Sequence, residues 1–97
     1  MSADLKTYIK VRWDHTSTDE PVLLYSELDD ERWEVRKIEV FADGKMGYAA
    51  SNSAFGGTEL GKAPVPPLNE INANAEFDGQ VITSAEFEKV WEEAMCR

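Results

Sequence analysis

Asp43-Gly44 narrows what this chain can fold into more than any other pair of residues. Apolar residues alternate on both sides of it, Ile38 and Val40 before and Met46, Tyr48 and Ala50 after. An Asp-Gly pair supplies the positive backbone angles of a two-residue type I′ turn, and alternation gives each flanking strand one apolar face. The sequence therefore predicts a tight hairpin, and with it an antiparallel sheet.

The neighbouring segments supply more strands. Ile9, Val11 and Trp13 alternate with Tyr8, Lys10 and Arg12, the period of a strand buried on one side. The turn formers of "DHTSTDEP" separate it from a second strand over "VLLYSEL", Val22 to Leu28, so these two also read as a hairpin. Trp33 and Val35 alternate in one phase whereas Ile38 and Val40 follow the other, which requires a bulge near Arg36 or Lys37. From Asn52 to Gly57 the composition turns to Ser, Ala and Gly, a loop, and a weak fifth strand is expected at Thr58 to Leu60.

Three prolines in "APVPPLNEI" exclude a central strand, because each removes a ladder donor. Pro66 or Pro67 suits the first turn of a short helix over Leu68 and Ile71, which "NANAEFDGQ" then ends. In "TSAEFEKVWEEAM", Thr83 or Ser84 is the cap and Glu86 completes a capping box. Phe87, Val90, Trp91 and Ala94 fall on one helical face, and that face needs a sheet beneath it. The fold class is α+β, a single domain over residues 1–97. It comprises an antiparallel sheet of four or five strands packed on a C-terminal helix, the other side partly solvated, with one short additional helix.

A chain of 97 residues buries roughly 60–65% of the surface it exposes when unfolded, and its three Trp, three Tyr and four Phe supply large side chains for a core. Cys96 is the single cysteine, so no disulfide forms within the chain and a thiolate metal site lacks ligands. The opening "MSADLKTYIK" carries charge where a secretory leader needs an apolar run, and no stretch is apolar enough to span a membrane. A cytoplasmic location is expected.

Catalytic sets are hard to assemble. His15 is the only histidine and no serine stands in a nucleophile-elbow context. Cys96 falls at the end of a helix, where the dipole disfavours a thiolate. Carboxylates are in surplus: Asp14 with Asp19, or Glu27 with Asp29 and Asp30, have the chemistry of an acid-base pair or of oxygen ligands to Ca²⁺ or Mg²⁺. "ELDDER", however, lacks the alternation and central glycine of a calcium loop, and a hairpin turn is too wet to raise a carboxyl pKa. Gly56-Gly57 is followed by no phosphate-binding lysine or helix start. No catalytic residue, metal ligand or cofactor is assigned. A small enzyme using Asp14, His15 and Asp19 is the alternative from that class.

Ten basic residues against 19 acidic ones leave a net charge of −9. That sign repels nucleic acid and anionic membranes, and it steers basic proteins inward. Two readings stay open: acidity as solubility, or acidity as a docking surface. Glu27, Asp29, Asp30 and Glu31 crowd one turn, flanked by Tyr25 and Trp33, and carboxylates beside aromatics have the composition of a binding hot spot. These six are the expected partner-binding residues, with a core role for Trp33 left open. Trp13 and Trp91 read as core. Glu92 and Glu93 in the last helical turn, and the like-charged pair Glu88 and Glu92, each cost a few tenths of a kcal/mol locally, a small expense that favours the docking surface over solubility alone.

The segments "YIKVRW", "DEPVLLYSELDDERWEVRKIEVFADGKMGYA", "PVPPLNEI" and "EFEKVW", from Tyr8 to Trp91, resemble a family of small bacterial domains of unknown function. Small domains of this sort are often found beside polymorphic secreted toxins, where the small protein is the cognate immunity protein, an analogy of genomic habit and not of a motif. The resemblance implies a stand-alone cytoplasmic module without catalytic residues. The function it suggests is binding a toxin domain and occluding its active site; an adaptor that binds some other protein is a further alternative.

Overall fold

The computed structural model describes residues 6–96; residues 1–5, where the sequence was read for a leader, and residue 97 lie outside the described residues. The elements in chain order are β1 (Thr7–Trp13), β2 (Leu23–Leu28), β3 (Glu34–Val40), β4 (Met46–Ala50), β5 (Ser53–Phe55), α1 (Leu68–Ile71), β6 (Phe77–Ile82) and α2 (Ser84–Met95). All strands join one antiparallel sheet in the order β5-β4-β3-β2-β1-β6. The fold is α+β, with six strands where four or five were expected.

Both differences in the strand list have local causes. The segment Thr58 to Leu60 is no strand; the edge is Ser53–Phe55, and Thr58 instead buries its hydroxyl, which donates to Glu39 Oε1 at 2.9 Å. β6 arises within the stretch read as the end of α1. Its "FDGQVI" breaks alternation with Asp, Gly and Gln, and the strand is held by pairing with β1 from Tyr8↔Ile82 to Trp13↔Phe77. Gly79 lets α1 sit close there, since a Cβ would stand 2.8 Å from Leu68 Cδ2 and the leucine side chain would have to turn aside. The outer edge of β6 is closed by Asn72, whose side chain donates to Gly79 O at 3.0 Å and accepts from Gly79 N at 2.6 Å, replacing a neighbouring strand.

The β3–β4 hairpin forms, but with a different turn. Gly44 has φ +91° whereas Asp43 has no positive φ, so type I′ geometry, which needs both, is excluded. Phe41 N donates to Lys45 O and Gly44 N to Phe41 O, both at 2.9 Å, giving a longer loop with the glycine in the left-handed position. The expected bulge is present: Glu27 pairs with Arg36 and Leu28 with Glu34, leaving Val35 without a partner on β2.

Alternation then sorts side chains onto two faces. On the helix face Tyr25, Ile38, Met46 and Ile82 pack against Phe87 and Ala94 of α2, with Tyr8, Tyr48, Val90 and Trp91 around them. Thr83 caps α2, its Oγ1 accepting from Glu86 N at 3.1 Å. On the opposite face Ile9, Val11 and Leu28 lie beneath Val65, Leu68, Ile71 and Phe77. The proline-rich segment and α1 thus cover apolar side chains at the β1–β2 end of that face.

Candidate functional site

The acidic run at the β2–β3 connection splits into an inner and an outer part. Glu27 still belongs to β2 and points to the helix face; it is 7% exposed and accepts from Tyr8 Oη at 3.2 Å and Arg36 Nε at 2.5 Å. Arg36 bridges onward to α2, with Nη1 donating to Glu88 Oε1 at 3.1 Å and Nη2 to Glu88 Oε2, and its guanidinium lies 4.9 Å from the ring centres of both Phe87 and Trp91. Tyr25, also 7% exposed, is enclosed under α2. Glu27 and Tyr25, expected at a partner surface, are core residues because strand alternation turns them inward.

The hydrogen bond from Arg36 holds the Glu88 carboxyl below the usual carboxylate range. The same bond raises the Arg36 guanidinium further above its ordinary value. Burial, then the Glu27 charge, pushes the Tyr8 hydroxyl up; burial does the same for Tyr25.

The outer part is a built turn. Asp29 Oδ1 accepts from Glu31 N and Trp33 N, each at 2.9 Å, so this carboxylate is spent on its own backbone. Arg32 takes φ +68°, a conformation that costs about 1–2 kcal/mol for a side chain of this kind. Three bonds to the proline segment offset it: Arg32 Nε to Val65 O at 2.7 Å, Arg32 Nη2 to Pro66 O at 2.8 Å, and Val65 N to Arg32 O at 2.8 Å. What remains outward is Asp30, Glu31 and Trp33, the last 39% exposed.

The face away from α2 carries a second ionic group. Glu34 accepts from Ser26 Oγ at 3.3 Å and from Gly61 N at 2.5 Å, and Lys37 Nζ lies 3.8 Å from both Glu34 and Glu39. Beside it a groove of about 420 Å³ runs under the proline segment, walled by Ile9, Val11, Leu24, Ile71 and Phe77.

Asp14, His15 and Asp19 occupy the β1–β2 loop. His15 Nδ1 accepts from Ser17 N at 3.0 Å, which leaves Nε2 as the protonated nitrogen facing Pro21 O at 2.8 Å, and the ring packs edge-on against Trp13. Both nitrogens staple the loop. Among the described residues no three His, Cys, Asp or Glu side chains form a group that could hold a metal ion, and no helix is long and apolar enough to cross a membrane.

A family model described as a domain of unknown function (DUF6881) matches residues 7–96. The chain belongs to this family. The match runs from the first residue of β1 to the residue that ends α2, so the DUF6881 domain is the whole described fold. The chain matches no curated protein and no solved structure. Sequence reasoning missed Arg36 and Arg32, the two residues that tie the acidic segment to the rest of this DUF6881 domain. A signal for Arg36 was present, since it falls opposite Glu27 across a hairpin. The backbone of Arg32 left none.

Proposed function

We propose that this DUF6881 domain is a non-enzymatic protein that binds a basic protein partner through its acidic exterior. More narrowly, we read it as a bacterial, cytoplasmic immunity protein that occludes the active site of a cognate antibacterial toxin domain. One observation supports this best: among the described residues 13 carboxylates are exposed against four cations, Arg12, Lys45, Lys62 and Lys89. Arg32 is taken up by carbonyls, Arg36 by Glu27 and Glu88, and Lys37 by Glu34 and Glu39. Asp30, Glu31, Asp78, Glu86, Glu92 and Glu93 are exposed. The charge of −9 is therefore carried disproportionately at the surface. A toxin that acts on nucleotides or nucleic acid presents a cationic cleft, to which such a surface is complementary in sign. The same field argues against nucleic acid or an anionic membrane as the partner.

Asp30, Glu31 and Trp33 are the residues assigned to first contact. The test reads the neighbouring genes for a secreted protein with a toxic C-terminal domain and measures association with that domain, with growth protection on co-expression as the cellular readout; a neighbourhood without one counts against the immunity reading. Asp30→Lys with Glu31→Lys slows association several-fold at low salt, and the loss shrinks as ionic strength rises. Trp33→Ala weakens binding while the fold persists. Absence of binding by the unmodified chain, or an association rate insensitive to both salt and charge reversal, overturns the reading.

A further inference from the structure

A second cleft, of about 560 Å³, lies at the end of the sheet opposite the acidic turn. The β1–β2 loop contributes Asp19, the β3–β4 hairpin contributes Phe41, Asp43 and Met46, and the end of β5 contributes Phe55 with Gly56 after it. Glycine sets its shape. Gly56 has φ +76°, and a Cβ there would meet Gly47 Cα at 3.0 Å, so the backbone lies flat against β4. Phe55 is thereby held at the lip, 51% exposed yet stacked on Tyr48 at 5.8 Å between ring centres. An exposed ring fixed by a second ring is a pre-formed platform rather than a stray apolar side chain.

The charged groups at the rim are Asp19, Asp43 and Lys45, all exposed; Asp43 Oδ1 accepts from Lys45 N at 3.0 Å, which leaves its Oδ2 and the Asp19 carboxylate to a cation from outside. Lys45 faces Asp43 across 3.8 Å, but both side chains are solvent-exposed, and such a pair yields readily to a competing cation. Two carboxylates and an open aromatic face beside an apolar floor suit one chemistry: a planar cation on an aliphatic stem. The stem fits against Met46 and Phe41, the plane stacks on Phe55, and the donors of the fork reach the rim.

We propose that this cleft receives an arginine side chain presented by a protein partner. The inference rests on the reading of the domain as a binder of basic proteins, and it adds a specificity pocket remote from Asp30 and Glu31. The test needs no toxin. The isotope-labelled chain is titrated with a capped Gly-Arg-Gly peptide, and with the same peptide carrying citrulline, which keeps the shape and removes the charge, while amide shifts are followed by NMR. Saturable shifts confined to Asp19, Asp43, Phe55 and Gly56 are expected, with citrulline about fivefold weaker or more. Asp19→Asn and Phe55→Ala each weaken the arginine peptide about threefold or more with the rest of the spectrum unchanged. Equal binding of citrulline, shifts that map to the Asp30–Trp33 turn, or no saturable shift would each overturn the pocket. Salt-dependent association with the toxin would survive that failure. Conversely, arginine captured in the cleft with no toxin binding would sink the immunity reading and leave the pocket standing.

Discussion

Replacing Arg36 by Met tests whether the charge network under α2 is structural. The side chain of Glu27 is 9% exposed and that of Glu88 is 46% exposed, so the two bonds of Arg36 are unequal. The exposed bond to Glu88 is screened and contributes at most a few tenths of a kcal/mol. Removing the guanidinium strands Glu27, whose remaining donor is the Tyr8 hydroxyl at 3.2 Å. Breaking one partner of a buried ion pair costs about 3–5 kcal/mol, because the other charge stays desolvated. Lost stacking against Phe87 and Trp91 adds about 0.5–1 kcal/mol, part of which the Met sulfur recovers on the same rings. The sum is a large share of the roughly 5–15 kcal/mol that holds a small domain.

Urea unfolding followed by tryptophan fluorescence reads the effect, and the double variant Arg36→Met with Glu27→Gln identifies its origin. A neutral amide still accepts from Tyr8 and leaves no stranded charge, so the double variant is expected to recover most of the loss. Acidification adds a second check. The folded pKa of Glu88 is depressed, so its contribution is present above the ordinary carboxylate pKa and is lost as pH falls through the folded value. The gap between the native chain and Arg36→Met therefore narrows toward acid. A cost below about 1 kcal/mol at neutral pH, or a double variant no better than the single one, would refute the reasoning.

Three further outcomes are expected. Gly47→Ala places a Cβ 2.2 Å from Thr58 Oγ1 and 3.0 Å from Phe55 O, which forces the β5 segment off β4 and costs about 1–3 kcal/mol; an unchanged thermal melt would show that this edge yields freely. Asn72→Ala leaves both backbone groups of Gly79 without their partner, a loss of about 1–2 kcal/mol. It also uncovers the β6 edge, so light scattering should report self-association at high concentration. Tyr8 and Tyr25 have raised folded pKa values, so stability is full below the unfolded tyrosine pKa and falls as pH rises through the folded ones. Tyrosinate absorbance should lag accordingly on alkaline titration, and ordinary midpoints for every tyrosine would contradict the burial.

The elements read correctly were those with two concordant signals. α2 had both a cap at Thr83 and a single apolar face, and the β3–β4 hairpin had both alternation and a glycine, although the glycine alone supplies the positive φ. β6 had neither: its ladder with β1 and the Asn72 side chain outweigh a composition that reads as turn. The acidic run misled because composition ignores the strand's period. Tyr25 and Glu27 share a phase that points inward, whereas Asp30 and Glu31 lie beyond the end of β2, and counting carboxylates merges the two environments.

β3 links the interior to the exterior. Arg36 and Lys37 are consecutive and point to opposite faces, so one strand seats a cation in each half of the molecule. The bulge at Val35 makes this possible, since it brings Glu34 onto the face of Lys37 and Glu39 rather than that of Arg36. Buried pairs of this kind add little stability over well-packed apolar residues, but they penalise misalignment, because a slip of one residue would carry Arg36 to the other face, away from Glu88, Phe87 and Trp91, and in one direction would leave Val35 opposite Glu27. The register of β3 is therefore written in charge as well as in Ile38. A consequence follows for the surface. The cations fixed within the sheet are matched by Glu27, Glu34, Glu39 and Glu88, so the ionic groups of β3 carry no excess positive charge and the net negative charge is left to the exposed residues, which set the field a basic partner meets.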